Sequence, residues 1–169
     1  CAAGGSVANR LVCGARLVGQ TYFLGKVGDD KDGAMYRRSL RESRVDFADT
    51  STTGSTGTCL VLVTPDGERT MQTSLAAANL LNYTDVDSAP IFQSRIVYVE
   101  GYLWGNPSTA TAAEYVMSLA HSSGVPIAIS FSDPALIGSF GQAIRTATRK
   151  YASIVFCNEW EARAYANMH

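Results

Sequence analysis

The first third of the chain combines helical spacing with a short apolar run. Apolar residues recur at i, i+3, i+4 and i+7, which predicts a helix over residues 6–19 that Gly19 ends. These residues are Ala8, Leu11, Val12 and Ala15. The TYFLGKV segment, residues 21–27, predicts a strand. A polar helix is predicted to follow Asp30 and to end near Ser43.

The clearest signal is a hairpin formed by two strands. CLVLVT and ERTMQT flank Pro65-Asp66-Gly67, in which proline presets φ and glycine tolerates a positive φ. A loop rich in Ser, Thr and Gly, residues 49–58, precedes it. Because the hairpin at about 58–73 has no helix of its own, we expect it to project from the sheet as a flap.

The second half of the chain alternates strands with helices. IVYVEG, PIAISFS and SIVFCN predict strands, and helices are predicted at 107–124, at 134–149 and from Glu159 onward. This alternation predicts an α/β fold whose parallel sheet is covered on both faces. We expect one partial domain over residues 1–169, because the chain has no starting methionine and ends in EWEARAYANMH, a helix pattern cut short.

Composition and charge exclude several classes of protein. The 169 residues suit one domain, and an apolar content of 46% is enough to build a core. The 14 Lys and Arg residues against 15 Asp and Glu residues lack the excess positive charge that nucleic acids or anionic membranes attract. No apolar run approaches the ~18 residues of a membrane span. We therefore expect no nucleic-acid partner and no membrane partner.

The spacing of the cysteines fits neither a metal motif nor a compact disulfide framework. Cys13, Cys59 and Cys157 stand beside apolar residues, so we expect them to pack as small hydrophobic side chains. Unpaired thiols are typical of a reducing compartment, which predicts a cytoplasmic location.

The opening stretch CAAGGSVAN has two interpretations. A dinucleotide site is disfavoured, because Ser6 and Asn9 stand where its motif needs glycines. The small residues Gly4, Gly5 and Ser6 would let the backbone approach a ligand closely, and the Asn9 amide can serve a pair of hydroxyls as donor and acceptor. The alternative is a tight turn whose asparagine bonds nearby backbone, and the residues alone leave the two interpretations level.

Three acidic positions follow predicted strands. GKVGDDKDG lacks the ligand order of a calcium loop, so a helix cap at Asp30 is favoured. Asp133, in SFSDPALIG, likewise predicts a helix cap without a catalytic role. Glu100 ends a strand at the edge where α/β sheets bind ligands, which favours a contact with sugar hydroxyls over an acid facing water.

The FCNEWEA segment carries an amide and a carboxylate three residues apart at a helix start. Asn158 and Glu161 therefore share one face of the helix. At the carboxyl edge of a parallel sheet, such a pair can hold Mg²⁺-bound water near a phosphate. A helix cap with first-turn acids is the stronger interpretation of this motif taken alone.

Taken in order, six segments resemble the ribokinase family, the PfkB-type carbohydrate kinases. They are GGSVAN, FLGKVGDDKDG, TGTCLVLVTPDGERTM, VYVEGYLWG, FSDP and VFCNEWEA, and they span nearly the whole chain. TPDGERTM and EGYLW are most similar to the adenosine-kinase-like branch. The resemblance implies a ribokinase-like three-layer α/β/α sandwich with a mainly parallel sheet and a β-hairpin lid. It also implies transfer of the γ-phosphate of ATP, with Mg²⁺, to a primary hydroxyl.

The resemblance implies a role for each candidate residue. The family stretch that binds acceptor hydroxyls corresponds here to Gly4, Gly5, Ser6 and Asn9. A sugar-contacting glutamate of the family corresponds to Glu100. The family pair near phosphate and Mg²⁺ corresponds to Asn158 and Glu161. The implied partners are ATP and a nucleoside or sugar. A second copy of the chain is a further implied partner, because the lid often forms a dimer contact.

The chain also departs from the family pattern. Arg10 stands where a small residue is usual, and Ala76 where a glycine is common after the lid. The catalytic base, the anion hole and the adenine pocket are expected beyond His169, so this chain alone would be inactive. Activation by a monovalent cation, known in parts of the family, would depend on residues outside the chain. A rival hypothesis is a nucleoside- or sugar-binding module without phosphoryl transfer.

Overall fold

The computed structural model describes residues 2–48 and 50–167. They form two compact units, the first ending at Leu81 and the second beginning at Asn82. The first unit contains three separate strand pairs, and the second contains one three-stranded parallel sheet. Asp49, the first residue of the predicted Ser/Thr/Gly loop, lies outside the described residues.

Two helices of the first unit confirm the sequence prediction. Helix α1 is Ser6–Val18 and helix α2 is Lys31–Glu42. Gly5 precedes α1 with a φ of 104°, which residues with a Cβ rarely adopt. Asp30 caps α2, because its side chain accepts a hydrogen bond from the Gly33 N–H.

The prediction of one strand over residues 21–27 is wrong. The first unit has the short strands β1, Thr21–Phe23; β2, Val27–Gly28; β3, Val45–Phe47; and β4, Ser51–Thr52. β1 pairs in parallel with β3, and β2 pairs in parallel with β4. Between β1 and β2, the Gly25 carbonyl accepts a hydrogen bond from the Thr50 hydroxyl, which lies 25 residues away in the sequence. The sequence pattern predicts neither β3 nor β4.

A small core joins α1, α2 and the β1–β3 pair. It contains the buried residues Ala8, Ala15, Leu40 and Val45, with Leu11, Val12, Phe23, Tyr36 and Phe47 packed against them. The rings of Phe23 and Phe47 stack with centroids 5.3 Å apart, and the Tyr36 ring meets Phe47 edge-on at 6.3 Å. This aromatic cluster fixes Tyr36 close to the start of α1.

The predicted hairpin is confirmed as the antiparallel strands β5, Thr58–Val63, and β6, Arg69–Ser74. Gly67 lies in the turn between them with a φ of 87°. Every residue of both strands is exposed. The chain then enters a 3₁₀ segment, Ala76–Leu80, whose first residue has a φ of 41°.

The second unit confirms the predicted alternation of strands and helices. Its elements are α3, Ser88–Phe92; β7, Val97–Glu100; α4, Pro107–Ser122; β8, Ile127–Ser130; α5, Pro134–Tyr151; β9, Ile154–Phe156; and α6, Glu159–Ala166. The three strands are parallel in the order β7-β8-β9. Asn106 caps α4 and Asp133 caps α5, each followed by a proline at the first helical position.

Burial is uneven across this sheet. All four residues of β8 are buried, whereas all three residues of β9 are exposed. The expected cover on both faces is observed for β8, whereas β9 is exposed among the described residues. No helix in the described ranges is long and apolar enough to cross a membrane.

The expectation that three cysteines pack as small hydrophobic side chains is wrong. Cys13, Cys59 and Cys157 are free thiols and exposed. Cys59 belongs to the exposed hairpin and Cys157 follows the exposed strand β9, so their apolar neighbours in the sequence are exposed as well.

Candidate functional site

The glycine turn before α1 is exposed and is held from one side by a tyrosine. The backbone carbonyl of Gly4 accepts a hydrogen bond of 3.1 Å from the Tyr36 hydroxyl. A Cβ added to Gly5 would lie 3.7 Å from that hydroxyl oxygen, and the φ of 104° would strain it. Gly4, Gly5 and Ser6 thus present backbone to the surroundings at the start of a helix.

Asn9 lies in the first turn of α1 with its side chain exposed. Its backbone N–H donates to the Gly5 carbonyl at 3.0 Å. Its side-chain amide makes no hydrogen bond to any other residue of the described ranges, so the amide does not serve to bond nearby backbone. The exposed amide has both a donor and an acceptor to offer, and its role as a ligand-facing group stays a prediction.

Tyr36 is a supporting residue that no sequence motif indicates. Burial raises the pKa of Tyr36 to about 12, so the phenol is neutral and can donate its proton to Gly4 at physiological pH. Its contact spans 32 residues of sequence and belongs to no motif. The nearest available signal was the presence of aromatic residues at positions 23, 36 and 47, which only the folded structure brings together.

In the second unit, Glu100 is buried at the carboxyl end of β7. Its side chain is only 6% exposed, which is inconsistent with an acid that faces water. The Tyr98 hydroxyl approaches the Glu100 Oε1 atom at 3.4 Å. Strand register places Glu100 beside Ser130 of β8, which in turn pairs with Phe156 of β9. This edge of the sheet is where open α/β folds bind ligands.

The segment after β8 secures the backbone next to Glu100. Ser132 adopts a φ of 70°, and its hydroxyl accepts a hydrogen bond of 3.0 Å from the Gly101 N–H. A Cβ on Gly101 would overlap the backbone oxygen of Phe131. Residues held in a left-handed conformation are frequent at functional sites, so Ser132 is a further candidate supporting residue that no sequence motif indicated.

Asn158 and Glu161 form a capping box at the start of α6. The Glu161 N–H donates to Asn158 Oδ1 at 2.8 Å, and the Asn158 N–H and side-chain amide donate to the two Glu161 carboxylate oxygens at 3.2 and 2.9 Å. The predicted helix cap is therefore confirmed. Glu161 is 6% exposed, so its carboxylate is held in one position at the same sheet edge as Glu100.

The oxygen atoms of Asn158 and Glu161 at this edge of the sheet are candidate contacts for hydrated Mg²⁺. Carboxylate and amide oxygens are ligands that Mg²⁺ accepts, and the ion usually keeps several of its waters. Both Glu161 oxygens already accept a hydrogen bond, which fits contact with a metal-bound water better than direct ligation. Within residues 2–48 and 50–167, no cluster of three or more His, Cys, Asp or Glu side chains could hold a metal.

Comparison with known proteins establishes the class. The pfkB family carbohydrate kinase profile matches residues 1–169, so the chain belongs to this family of kinases. The chain has a ribokinase-like α/β fold with mainly parallel strand pairs.

Three relatives show what the chain is similar to. The crystal structure of adenosine kinase from Sinorhizobium meliloti matches 98% of this chain at 33% identity with a TM-score of 0.93. A probable sugar kinase protein from Rhizobium etli CFN 42 matches 97% at 28% identity with a TM-score of 0.92. Adenosine kinase 2 from Arabidopsis thaliana is 26% identical over 163 residues.

The chain spans about half the length of these relatives. It covers 52% of the Sinorhizobium meliloti structure, 51% of the Rhizobium etli structure and 45% of the Arabidopsis thaliana protein. The two structures have nearly equal TM-scores and carry different substrate names, so similarity of fold supports kinase chemistry more strongly than it supports one acceptor.

Proposed function

We propose that the protein transfers the γ-phosphate of ATP to the hydroxymethyl group of a nucleoside, with adenosine favoured. The observation that carries this proposal is the exposed Asn9 amide beside the Gly4-Gly5-Ser6 turn in a chain of the pfkB family. The similarity to an adenosine kinase over 98% of the chain supports adenosine as acceptor.

The first unit offers an acceptor two kinds of group in this proposal. The glycine turn lets the ligand approach the backbone, and the Asn9 amide exchanges hydrogen bonds with sugar hydroxyls. Taken by itself, the second unit offers the Glu100 carboxylate as the acceptor of a hydrogen bond from a hydroxyl. Because Glu100 is buried, that bond would be shielded from water and correspondingly strong.

Asn158 and Glu161 serve the phosphate side. The capping box fixes both polar groups before any ligand arrives, so no further ordering is needed when they bind a metal-bound water. Mg²⁺, when bound with ATP, neutralises the charge that develops on the transferred phosphoryl group. Phosphoryl transfer of this kind is mainly positioning and electrostatic stabilisation.

In this proposal, residues 1–169 supply acceptor binding and the lid, and the rest of the protein supplies the catalytic base. The base that deprotonates the acceptor belongs to the half that the relatives have in addition, so residues 1–169 alone are inactive. The β5–β6 hairpin acts as a lid that excludes water and as a contact between two copies of the protein. ATP turnover by the isolated chain, abolished by Asn158→Ala, would contradict this division.

The test is ADP release by the full-length protein with Mg²⁺ and ATP against adenosine, other nucleosides, ribose and fructose. We expect adenosine to be preferred, and Asn9→Ala to raise the acceptor KM about tenfold through the loss of hydrogen bonds. Arg16→Ala, at an exposed position of the same helix, is the matched control and should leave KM unchanged.

A sugar kinase is the second candidate, favoured by the similarity to the Rhizobium etli protein. Preferential turnover of ribose or fructose would establish it and would remove adenosine as the acceptor. If the folded protein binds adenosine but releases no ADP with any acceptor, a binding module without phosphoryl transfer would replace both proposals.

A further inference from the structure

One carboxylate joins the base of the β5–β6 hairpin to the first turn of α2. Asp30 Oδ1 accepts hydrogen bonds from the Gly33 N–H at 2.8 Å and from the Thr56 hydroxyl at 2.6 Å. Asp30 Oδ2 accepts a third hydrogen bond, from the Thr56 N–H, at 2.8 Å. Thr56 is buried and stands two residues before β5 begins. The residue that caps α2 therefore also holds the entry to the hairpin.

The packing around this contact leaves no room for adjustment. The Thr56 hydroxyl also accepts a hydrogen bond of 3.1 Å from the Gly28 N–H. A Cβ on Gly28 would overlap the Gly54 oxygen, and a Cβ on Gly33 would overlap the Gly28 oxygen. The hydrogen bonds from Thr56 lower the pKa of Asp30, so its carboxylate is ionised at neutral pH. The entry to the hairpin is thus held by a charged and closely packed group.

The segment that leaves the hairpin contacts the segment that enters it, and its backbone is strained. The Ala77 N–H donates to the Ser55 carbonyl at 3.1 Å, and a Cβ on Gly57 would lie 2.8 Å from the Leu75 oxygen. Ala76, between these contacts, has a φ of 41°, which is strained for a residue with a Cβ. The entry is therefore clamped by Asp30, and the exit is strained at Ala76.

We propose that Asp30 is a positioning residue for the lid, whose carboxylate holds Thr56 as the fixed pivot about which the β5–β6 hairpin moves relative to the bound acceptor. This inference rests on the proposed kinase function, because during phosphoryl transfer a lid that excludes water limits the hydrolysis of ATP. In this proposal Asp30 contacts Gly33 and Thr56 and has no contact with the acceptor or the phosphate. It acts through Thr56, and the loss of its carboxylate changes the fraction of molecules in which the hairpin is closed over the acceptor.

The expected consequence is a change in the partition of ATP between transfer and hydrolysis. In Asp30→Asn, an amide nitrogen would replace one carboxylate oxygen and would face the backbone N–H of Gly33 or of Thr56, each of which is a donor. The lid would then close less often over the acceptor and exclude water less well. We expect the acceptor KM to rise about tenfold and the ratio of acceptor-independent ATP hydrolysis to transfer to rise about as much.

The experiment uses the full-length protein in three forms: wild type, Asp30→Asn and the control Asp29→Asn. Asp29 is the neighbouring residue and is exposed, and its substitution by asparagine removes the same charge. The proposal is supported if Asp30→Asn alone raises the ratio of hydrolysis to transfer while remaining folded. It is overturned if the two variants partition ATP alike.

A second measurement separates this inference from the proposed function. Hydrogen exchange at residues 58–74 reports the freedom of the hairpin without any substrate. We expect exchange several-fold faster in Asp30→Asn than in Asp29→Asn, even if the wild type transfers no phosphate and the kinase proposal fails. Unchanged exchange in Asp30→Asn overturns the inference while leaving the kinase proposal intact. Should Asp30→Asn not fold, Thr56→Val against Thr56→Ser makes the same comparison, because serine retains the hydroxyl.

Discussion

Strand β5 of the hairpin and strand β8 of the parallel sheet are both rich in apolar residues and have opposite environments. Leu62 and Val63 of the hairpin are 57% and 64% exposed, whereas Ile127 and Ile129 of β8 are 1% and 0% exposed. Both segments have high β-propensity, so the difference does not arise from the strands themselves. It arises from their neighbours, because β8 lies between two strands and packs against α4, while β5 pairs only with β6.

The comparison shows which apolar residues hold the fold and which remain available for contacts. Burial of apolar surface is the main stabilising contribution to folding, so β8 contributes to it and the exposed hairpin contributes little. Contiguous apolar residues that remain exposed mark sites of contact with a ligand or a partner. The hairpin sequence is therefore explained better by the proposed lid and dimer contact than by stability.

The largest expected effect is on stability and separates the two regions directly. Ile129→Ala should lower the free energy of unfolding of the full-length protein by about 2–5 kcal/mol, because it leaves a cavity in the core. Leu62→Ala should change it by less than about 0.5 kcal/mol, as an exposed substitution does. Urea unfolding monitored by circular dichroism measures both, and equal losses would show that the hairpin is buried in the full-length protein.

The next effect is on self-association through the hairpin. Val61 lies opposite Met71 on one face, and Leu62 lies opposite Thr70 on the other. If the first face forms the proposed dimer contact, Val61→Lys should weaken association at least about tenfold, because a charge would have to be buried there. Thr70→Lys is the control on the second face. Sedimentation velocity measures both variants, and a monomeric wild type would remove the dimer contact from the proposal.

A smaller effect is expected at Tyr36, whose side chain is intermediate in burial between the two regions. Tyr36→Phe removes the hydrogen bond to Gly4 and should cost about 0.5–1.5 kcal/mol at neutral pH. The pKa of Tyr36 is raised from its ordinary value of 10.0 to about 12. Between pH 10.0 and about pH 12, the phenol therefore ionises in the unfolded chain but not in the folded protein, so the wild type loses stability relative to Tyr36→Phe as the pH rises. Thermal unfolding at pH 8 and above pH 10 tests the sign, and a constant difference between the two proteins would contradict it.

The smallest effect is expected at Ala76, next to the exposed hairpin. Ala76→Gly should raise the free energy of unfolding by about 0.5 kcal/mol, because relief of the left-handed φ outweighs the added freedom of the unfolded chain. Ala78→Gly, two residues later in the same 3₁₀ segment and outside the left-handed region, should lower it. Denaturant midpoints give both values, and stabilisation by both substitutions would rule out strain at Ala76 as the cause.

Elements with clear local start and stop signals were predictable from the sequence. Asn106 and Asp133 before prolines, Gly67 in the hairpin turn and the Asn158–Glu161 capping box all lie where the sequence predicts them. These signals work because each one determines the conformation of its own few residues.

The remaining features depend on contacts that are distant in sequence. β4 has two residues and pairs with β2 across about two dozen positions, which leaves no periodicity to detect. The supporting roles of Tyr36 and Thr56 are likewise hydrogen bonds across 32 and 26 residues. For the candidate site, the sequence predicts Asn9, Glu100, Asn158 and Glu161 as ligand-contacting residues, which stays a prediction, and the structure adds the residues that hold them or the hairpin in place.

The close backbone approaches at Gly28, Gly33 and Gly101 have a genetic consequence. A Cβ at each would overlap a backbone oxygen of another residue. Every change in the first two bases of a glycine codon replaces the glycine, whereas changes in the third base are silent. Nearly all variants with a change in the first two bases at these positions should therefore be lost from a library selected for function. Gly4 and Gly105, where a Cβ would meet nothing within 4 Å, should lose fewer variants to misfolding. Depletion at Gly4 in such a library would then report ligand binding rather than folding.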